Sequence, residues 1–170
     1  MSESQAREMA AGFDLHPAWR RDNSQFEQDA IEFWTRLGVL PANVKPEERA
    51  KELVVVAYRD GRLVGLQTAA LARLEQVRAR LAMLRSLVDP EYRRSRISFA
   101  LTLFSRDVIE RWSIEHPEEK VAGLGAIVEA AQFAGREKEP FWPNTKFGVV
   151  GYAPDGRQIR VSWFEDFRFD

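Results

Sequence analysis

Cysteine is absent from all 170 residues, which excludes disulfides, thiolate nucleophiles and thiolate metal sites together. Histidine is nearly as scarce. His16 and His116 lie far apart and neither has a metal-ligand companion at helical spacing, so no metal is expected. No run reaches about 18 apolar residues, and the polar opening MSESQAREMAAG lacks the apolar core of a signal peptide. Neither a membrane partner nor secretion is expected, and the default compartment is the cytoplasm. Neither sign of charge is in excess: 25 basic against 26 acidic residues leave a net charge of −1, with no global attraction to nucleic acid or an anionic membrane. No Walker A loop or nucleophile elbow occurs. Gly123-Leu124-Gly125 starts like a dinucleotide fingerprint but lacks its third glycine and opens no helix.

What is present is the composition of an ordinary globular protein, 45% hydrophobic and 30% charged. The length fits one domain better than two and suffices to bury a sizeable core. Residues 1–12 have little to bury and read as a tail. Residues 13–20 supply a short edge strand whose pairing Pro17 limits. Ser24 and Glu27 have capping-box spacing ahead of Phe26, Ala30, Ile31, Phe33, Trp34 and Leu37, with Gly38 as the stop. Pro46 opens a second short helix over 47–51.

Three strands follow as an antiparallel meander: Leu53 to Arg59, Arg62 to Leu71 beyond the Asp60-Gly61 turn, and Arg78 to Val88. From Ile97, the apolar residues Ala100, Leu101, Phe104, Val108 and Trp112 keep the helical repeat and predict about four turns. Val121 to Val128 is suited to a buried strand. Residues 129–142 read as ambiguous, Glu129 to Ala134 being compatible with a helix before Gly135 intervenes, and Phe147 to Ala153 with Arg157 to Phe164 flank a Pro154-Asp155-Gly156 turn as a last hairpin.

The stretch that carries most chemical meaning is Val88-Asp89-Pro90-Glu91-Tyr92-Arg93-Arg94-Ser95-Arg96-Ile97-Ser98, where a strand runs through a proline turn into the long helix. A helix start offers unpaired N–H groups and a positive dipole end, a natural seat for phosphate. Three arginines placed there oppose the dipole unless an anion or a carboxylate such as Glu91 compensates them. The plain alternative is a solvated basic helix start, with Ser95 as its cap in either case.

The element order and three local segments resemble the GNAT superfamily of acyl-CoA-dependent N-acyltransferases over residues 13–165. Arg59-Asp60-Gly61-Arg62-Leu63-Val64-Gly65 is like the family's second hairpin. Leu87-Val88-Asp89-Pro90-Glu91-Tyr92-Arg93 is like the end of its fourth strand and the cofactor turn, and Phe147-Gly148-Val149-Val150-Gly151-Tyr152 resembles the start of its last hairpin. The resemblance implies an α+β fold with a mixed, mostly antiparallel central sheet flanked by helices, filling residues 13–170 as a single domain. It implies acetyl-CoA or another acyl-CoA as cosubstrate, and a small-molecule or protein amine as acceptor. Backbone groups near Ser86, Leu87 and Val88 would hold the pantetheine arm, and Arg93, Arg94, Ser95, Arg96, Ile97 and Ser98 the pyrophosphate.

The family's cofactor loop reads Gln or Arg, two residues, Gly, one residue, then Gly or Ala. Here Arg93 takes the first position, while Arg96 and Ser98 replace the small residues. A side chain obstructs the close approach of phosphate to backbone that glycine allows. Arg96 either points outward and pairs with a phosphate through its guanidinium or points inward and blocks the loop. Glu129, at the end of the fifth strand, is the candidate proton acceptor. The tyrosine that many members carry after that strand has no counterpart, the region offering Phe133, Phe141 and Trp142. Phe141, Trp142, Phe167 and Phe169 remain for a hydrophobic acceptor pocket or a homodimer face. Two alternatives stay open: a noncatalytic GNAT-like binding module that has lost the loop, and an acyltransferase fed by a carrier-protein-bound acyl chain.

Overall fold

The first helix starts where Asn23, in extended conformation, accepts the Phe26 N–H on its side-chain oxygen at 3.0 Å. Asn23 is therefore the cap, and the Ser24/Glu27 capping box does not form; Ser24 is the first helical residue and Glu27 instead pairs with Lys51 at 2.8 Å. The helix, α1 (Ser24–Leu37), stops at Gly38 as its sequence predicts. The computed structural model describes residues 10–129 and 135–169. Two compact units divide the chain, the first formed by residues up to 69 with 85–109 and the second by 70–84 with those from 110 onward.

In the first unit, β1 (Asp14–Pro17) pairs antiparallel with β2 (Leu53–Arg59), and β2 pairs antiparallel with the first half of β3 (Arg62–Leu74). The β2–β3 turn is tight because Asp60 and Gly61 both take positive φ, 50° and 74°, the twist that suits a two-residue hairpin. α1 and the short α2 (Pro46–Ala50) lay Ala30, Phe33, Trp34 and Ala50 on Leu53, Val56, Leu63 and Leu66. Each large side chain fully buried in this way contributes about 1.5–3 kcal/mol.

The other face of β3 receives α3 (Ile97–Glu115), one turn longer than its apolar repeat predicts. Gly65 makes this approach possible: a Cβ there would lie 3.1 Å from Leu101 Cδ1. Buried Gln67 ties the same strand to the helix, donating to Thr102 Oγ1 at 2.9 Å.

In the second unit, the early part of β4 (Ala79–Val88) runs parallel to β5 (Val121–Val128), pairing Arg80 with Val121 and Met83 with Gly125. Gly123 and Gly125 thus belong to a buried strand, with Met83 and the Ser162 carbonyl packed too close for a Cβ. β5 then pairs antiparallel with β8 (Gln158–Trp163), β8 with β7 (Phe147–Tyr152), and β7 with β6 (Phe141–Trp142). Hydrogen bonds order the strands β1-β2-β3-β4-β5-β8-β7-β6, a mixed and mostly antiparallel sheet with helices, as the sequence leads one to expect.

The sequence leaves the segment after β5 open. The helix-compatible stretch 129–134 lies, apart from Glu129, outside the described residues, as does Phe133. Beyond it come a single 3-10 turn, Arg136–Lys138, and the unanticipated β6. A buried arginine holds this stretch. Arg160 of β8, with no exposure, donates from Nη2 to the carbonyls of Glu137 (3.2 Å) and Glu139 (2.5 Å) and from Nε to Gln158 Oε1 (3.1 Å). Its guanidinium lies 3.7 Å from the Trp142 ring centroid, and Trp142 Nε1 donates to the Arg136 carbonyl at 3.0 Å. Trp142 is therefore core, 7% exposed, rather than part of an acceptor pocket or dimer face.

Candidate functional site

The proline turn after β4 is fixed by a carboxylate. Asp89 is 5% exposed; its Oδ1 accepts the Glu91 N–H at 3.1 Å, its Oδ2 lies 2.9 Å from Arg36 and 3.9 Å from Arg62, and its own N–H donates to the Val64 carbonyl at 2.8 Å. Burial alone pushes the Asp89 carboxyl up, but the Glu91 N–H and the two guanidiniums outweigh it and hold the group below the usual carboxylate range. Pro90–Tyr92 form one 3-10 turn on this support. Tyr92 packs edge-on against Phe13, centroids 5.6 Å apart, and Arg59 lies 5.1 Å from the Phe13 ring and 5.7 Å from the Tyr92 ring. Tyr92 is a packing residue, and the turn is anchored to β2.

From this anchor the chain reaches α3. Ser95 Oγ donates to the Tyr92 carbonyl at 2.6 Å and accepts the Ile97 N–H at 3.4 Å, a long cap bond; the first helical bond runs from the Ala100 N–H to the Arg96 carbonyl at 3.0 Å. The N–H groups of Ser98 and Phe99 fall in the opening turn, where an α-helix has no partner of its own for them. Ile97 is buried as the hydrophobic anchor of the helix start.

Arg93, Arg94, Arg96 and Ser98 are all exposed. Among the described residues none of the three guanidiniums has a hydrogen-bond or ion-pair partner, and Glu91, exposed and unpaired by its side chain, does not compensate them. Arg96 does not fold back onto the loop's carbonyls. Of the strand residues assigned to the pantetheine arm, Ser86 is exposed, Leu87 half-buried against the α1 core and Val88 buried. The first unit thus brings together every residue of the predicted cofactor loop around one turn and one helix start.

Glu129, in the second unit, sits just past the end of β5 with its side chain 58% exposed. Its Oε1 lies 3.2 Å from Arg157 Nη1, and Arg157 also holds Asp155 at 2.8 Å. The two aromatic residues of the described stretch 135–142 carry no hydroxyl: Phe141 is exposed and Trp142 is taken by Arg160. Sequence reasoning missed Asp89 as the organiser of the turn. Its signal was local, an Asp-Pro-Glu step that can cap its own turn, but Arg36 and Arg62 come from 53 and 27 residues away, 89 − 36 and 89 − 62.

Among the described residues, no group of three or more His, Cys, Asp or Glu is placed to hold a metal ion, and no helix is long and apolar enough to cross a membrane. No protein-family model matches the sequence, and no curated protein matches it. Solved structures do. An acetyltransferase of the GNAT family from Streptococcus pneumoniae superposes with a TM-score of 0.53 at 11% identity, over 88% of this chain and 96% of its own. Arabidopsis thaliana Naa50, in complex with the bisubstrate analogue CoA-Ac-MVNAL, gives 0.56 at 14% identity, over 90% and 99%. A protein from Pyrococcus horikoshii gives 0.56 at 10% identity, over 90% and 99%. The chain has the GNAT fold.

Proposed function

We propose that this chain is an acyl-CoA-dependent N-acyltransferase whose cofactor lies over residues 86–98 of a single acyltransferase domain, 13–170. The observation that carries the reading is the helix start after β4. In a GNAT fold, three exposed guanidiniums with no partner among the described residues stand beside the opening N–H groups of α3, on a turn that buried Asp89 holds rigid. Arginines opposing a helix dipole without a carboxylate to neutralise them favour an anion.

The donor set fits a diphosphate. Arg93, Arg94 and Arg96 would hold it with charge-assisted bonds where other members use backbone at glycine, and Ser86, Leu87 and Val88 would pair with the amide arm. The bound thioester supplies the electrophile; the chain's part is to orient it and take the amine's proton, a role we assign to Glu129. A GNAT acetyltransferase and a protein in complex with a CoA–peptide conjugate among the structural neighbours support an acyl-CoA donor and an amine acceptor, which we read as a small amine or a protein amino group.

Isothermal titration with acetyl-CoA and desulfo-CoA tests the reading directly. Saturable binding is expected, and Arg96→Ala should weaken it by about 1.5–3 kcal/mol, the size of a hydrogen bond to a charged group. Unchanged affinity removes Arg96 from the site. Glu129→Gln should lower turnover at neutral pH with CoA affinity intact; an unaltered pH profile removes it from candidacy. The second reading, a noncatalytic binding module, is favoured by one observation, the engagement of Glu129 by Arg157. CoA binding without any acyl transfer across a panel of amines would establish it.

A further inference from the structure

At the start of the parallel β4–β5 pair the second unit carries a cleft of about 450 Å³ that the acyl-transfer reading does not use. Its walls are cationic: Arg73, Arg78 and Arg80 from the β3–β4 hairpin, and Lys120 just before β5. Its floor is apolar, formed by Val77, Ala79 and the rings of Phe167 and Phe169. The floor is fixed, because Val77 and Phe167 pack on the core of Ala79, Leu81, Ala122 and Val161, and Phe169 meets Phe167 and Trp163 edge-on with centroids 5.2 Å apart. Phe169 nevertheless remains 61% exposed. Glu129 lies just past the other end of β5, eight residues from its first, 129 − 121, roughly 26 Å along an extended strand, so the cleft is separate from that carboxylate.

We propose that this cleft binds an extended peptide segment in which one or two carboxylates flank an apolar side chain. The cleft's own donors already show the preference: Arg73 holds Glu75 at 3.0 Å and Arg80 holds Glu119 at 2.6 Å, while Arg78 has no ion-pair partner among the described residues. Planar guanidiniums match carboxylates two-point, and arginine with exposed aromatic rings is the pairing that dominates protein recognition sites. A nucleic-acid strand is a poorer fit, because it carries a charge on every unit and would pass the rim carboxylates of Glu75 and Glu119. A peptide sets a single carboxylate at Arg78 and its apolar neighbour on Phe169. The inference stands independently of acyl transfer.

The test is fluorescence anisotropy on the full chain. The probe is a labelled peptide carrying Asp-Phe-Glu between Gly-Ser flanks, set against its Asn/Gln counterpart and a labelled oligothymidylate. Saturable binding of the acidic peptide is expected, weakened about tenfold by the Asn/Gln exchange and as much by Arg73→Glu with Arg78→Glu. Phe169→Ser, at an exposed ring, should weaken it severalfold with the thermal midpoint unmoved, and the Arg-to-Glu variant should gain a peptide with Lys in place of Asp and Glu. Saturating desulfo-CoA should leave the complex intact. Equal affinity for the Asn/Gln peptide, tighter binding of the oligothymidylate, displacement by desulfo-CoA or indifference to both variants overturns the proposal.

Discussion

Arginine serves opposite ends in the two units. On β8, Arg160 is sealed from water: Nη2 donates to the Glu137 and Glu139 carbonyls and Nε to Gln158, the face lies on Trp142, and Nη1 has no hydrogen-bond partner among the described residues. At the start of α3, Arg93, Arg94 and Arg96 are exposed and, among the described residues, bond to nothing. The first environment makes an arginine a structural pin; the second leaves three charges available to a ligand. The difference lies in which backbone carbonyls come within reach. A segment without regular hydrogen bonding, such as 135–140, offers acceptors that a helix start lacks.

The comparison breaks hardest at Arg160. Arg160→Met keeps most of the buried volume but leaves two carbonyls without their donor and removes a stacked cation, so a loss of about 3 kcal/mol is expected. In a chain of this size that is a fall of roughly 10 °C in the thermal midpoint. A midpoint within a degree or two of the parent would mean that Trp142 alone secures the segment. Calorimetry or circular dichroism reads the effect without any ligand.

Asp89 sits between the two extremes, a buried carboxylate that converts Arg36 and Arg62 into supports for the turn. Asp89→Asn retains an acceptor for the Glu91 N–H and loses the ion pairs, which should cost about 2 kcal/mol near neutral pH. The sign with pH follows from the lowered carboxyl. Its contribution is complete above the ordinary aspartate value and disappears as pH falls through the depressed native value. Parent and variant should therefore differ at pH 7 and converge as acid protonates the carboxyl, which urea melts from pH 7 downward would reveal. A difference that persists at the acid end would place the effect in packing rather than charge.

Much of this molecule is legible in the chain. The Asp60-Gly61 turn, the β2 and β5 boundaries and the Gly38 stop follow from local chemistry, and the structure reproduces them. The strand end, proline turn and helix start over 86–98 were equally visible, since they are contiguous in the chain. Arg160 was not. Between Ile159 and Val161 it reads as the outward member of an alternating strand, but β8 runs between β5 and β7 with 135–142 laid over it, and both its faces are buried. Trp142 misled for the same reason: a two-residue strand is too short to show a period, and Arg160, distant in sequence, fixes the ring's place. The α1 cap slipped by one residue because Asn23 and Ser24 both offer a capping side chain, and nothing local ranks them.

The smallest effect is the one that best separates the two kinds of arginine. Arg93, Arg94 and Arg96 oppose the dipole of α3 and neutralise nothing, so replacing all three with alanine should leave the protein as stable as before or firmer by about 0.5 kcal/mol at low salt. The gain should vanish by roughly 0.5 M salt, where screening shortens the reach of exposed charges. Saturating acetyl-CoA should reverse the order, raising the parent's midpoint and leaving the triple variant where it was. If the triple variant is instead destabilised by more than about 1 kcal/mol without ligand, these side chains support the fold as Arg160 does, and the contrast between the two regions fails. If it is unaffected yet keeps full CoA-induced stabilisation, the helix N–H groups hold the diphosphate alone, and the bulky replacements at Arg96 and Ser98 are tolerated rather than used.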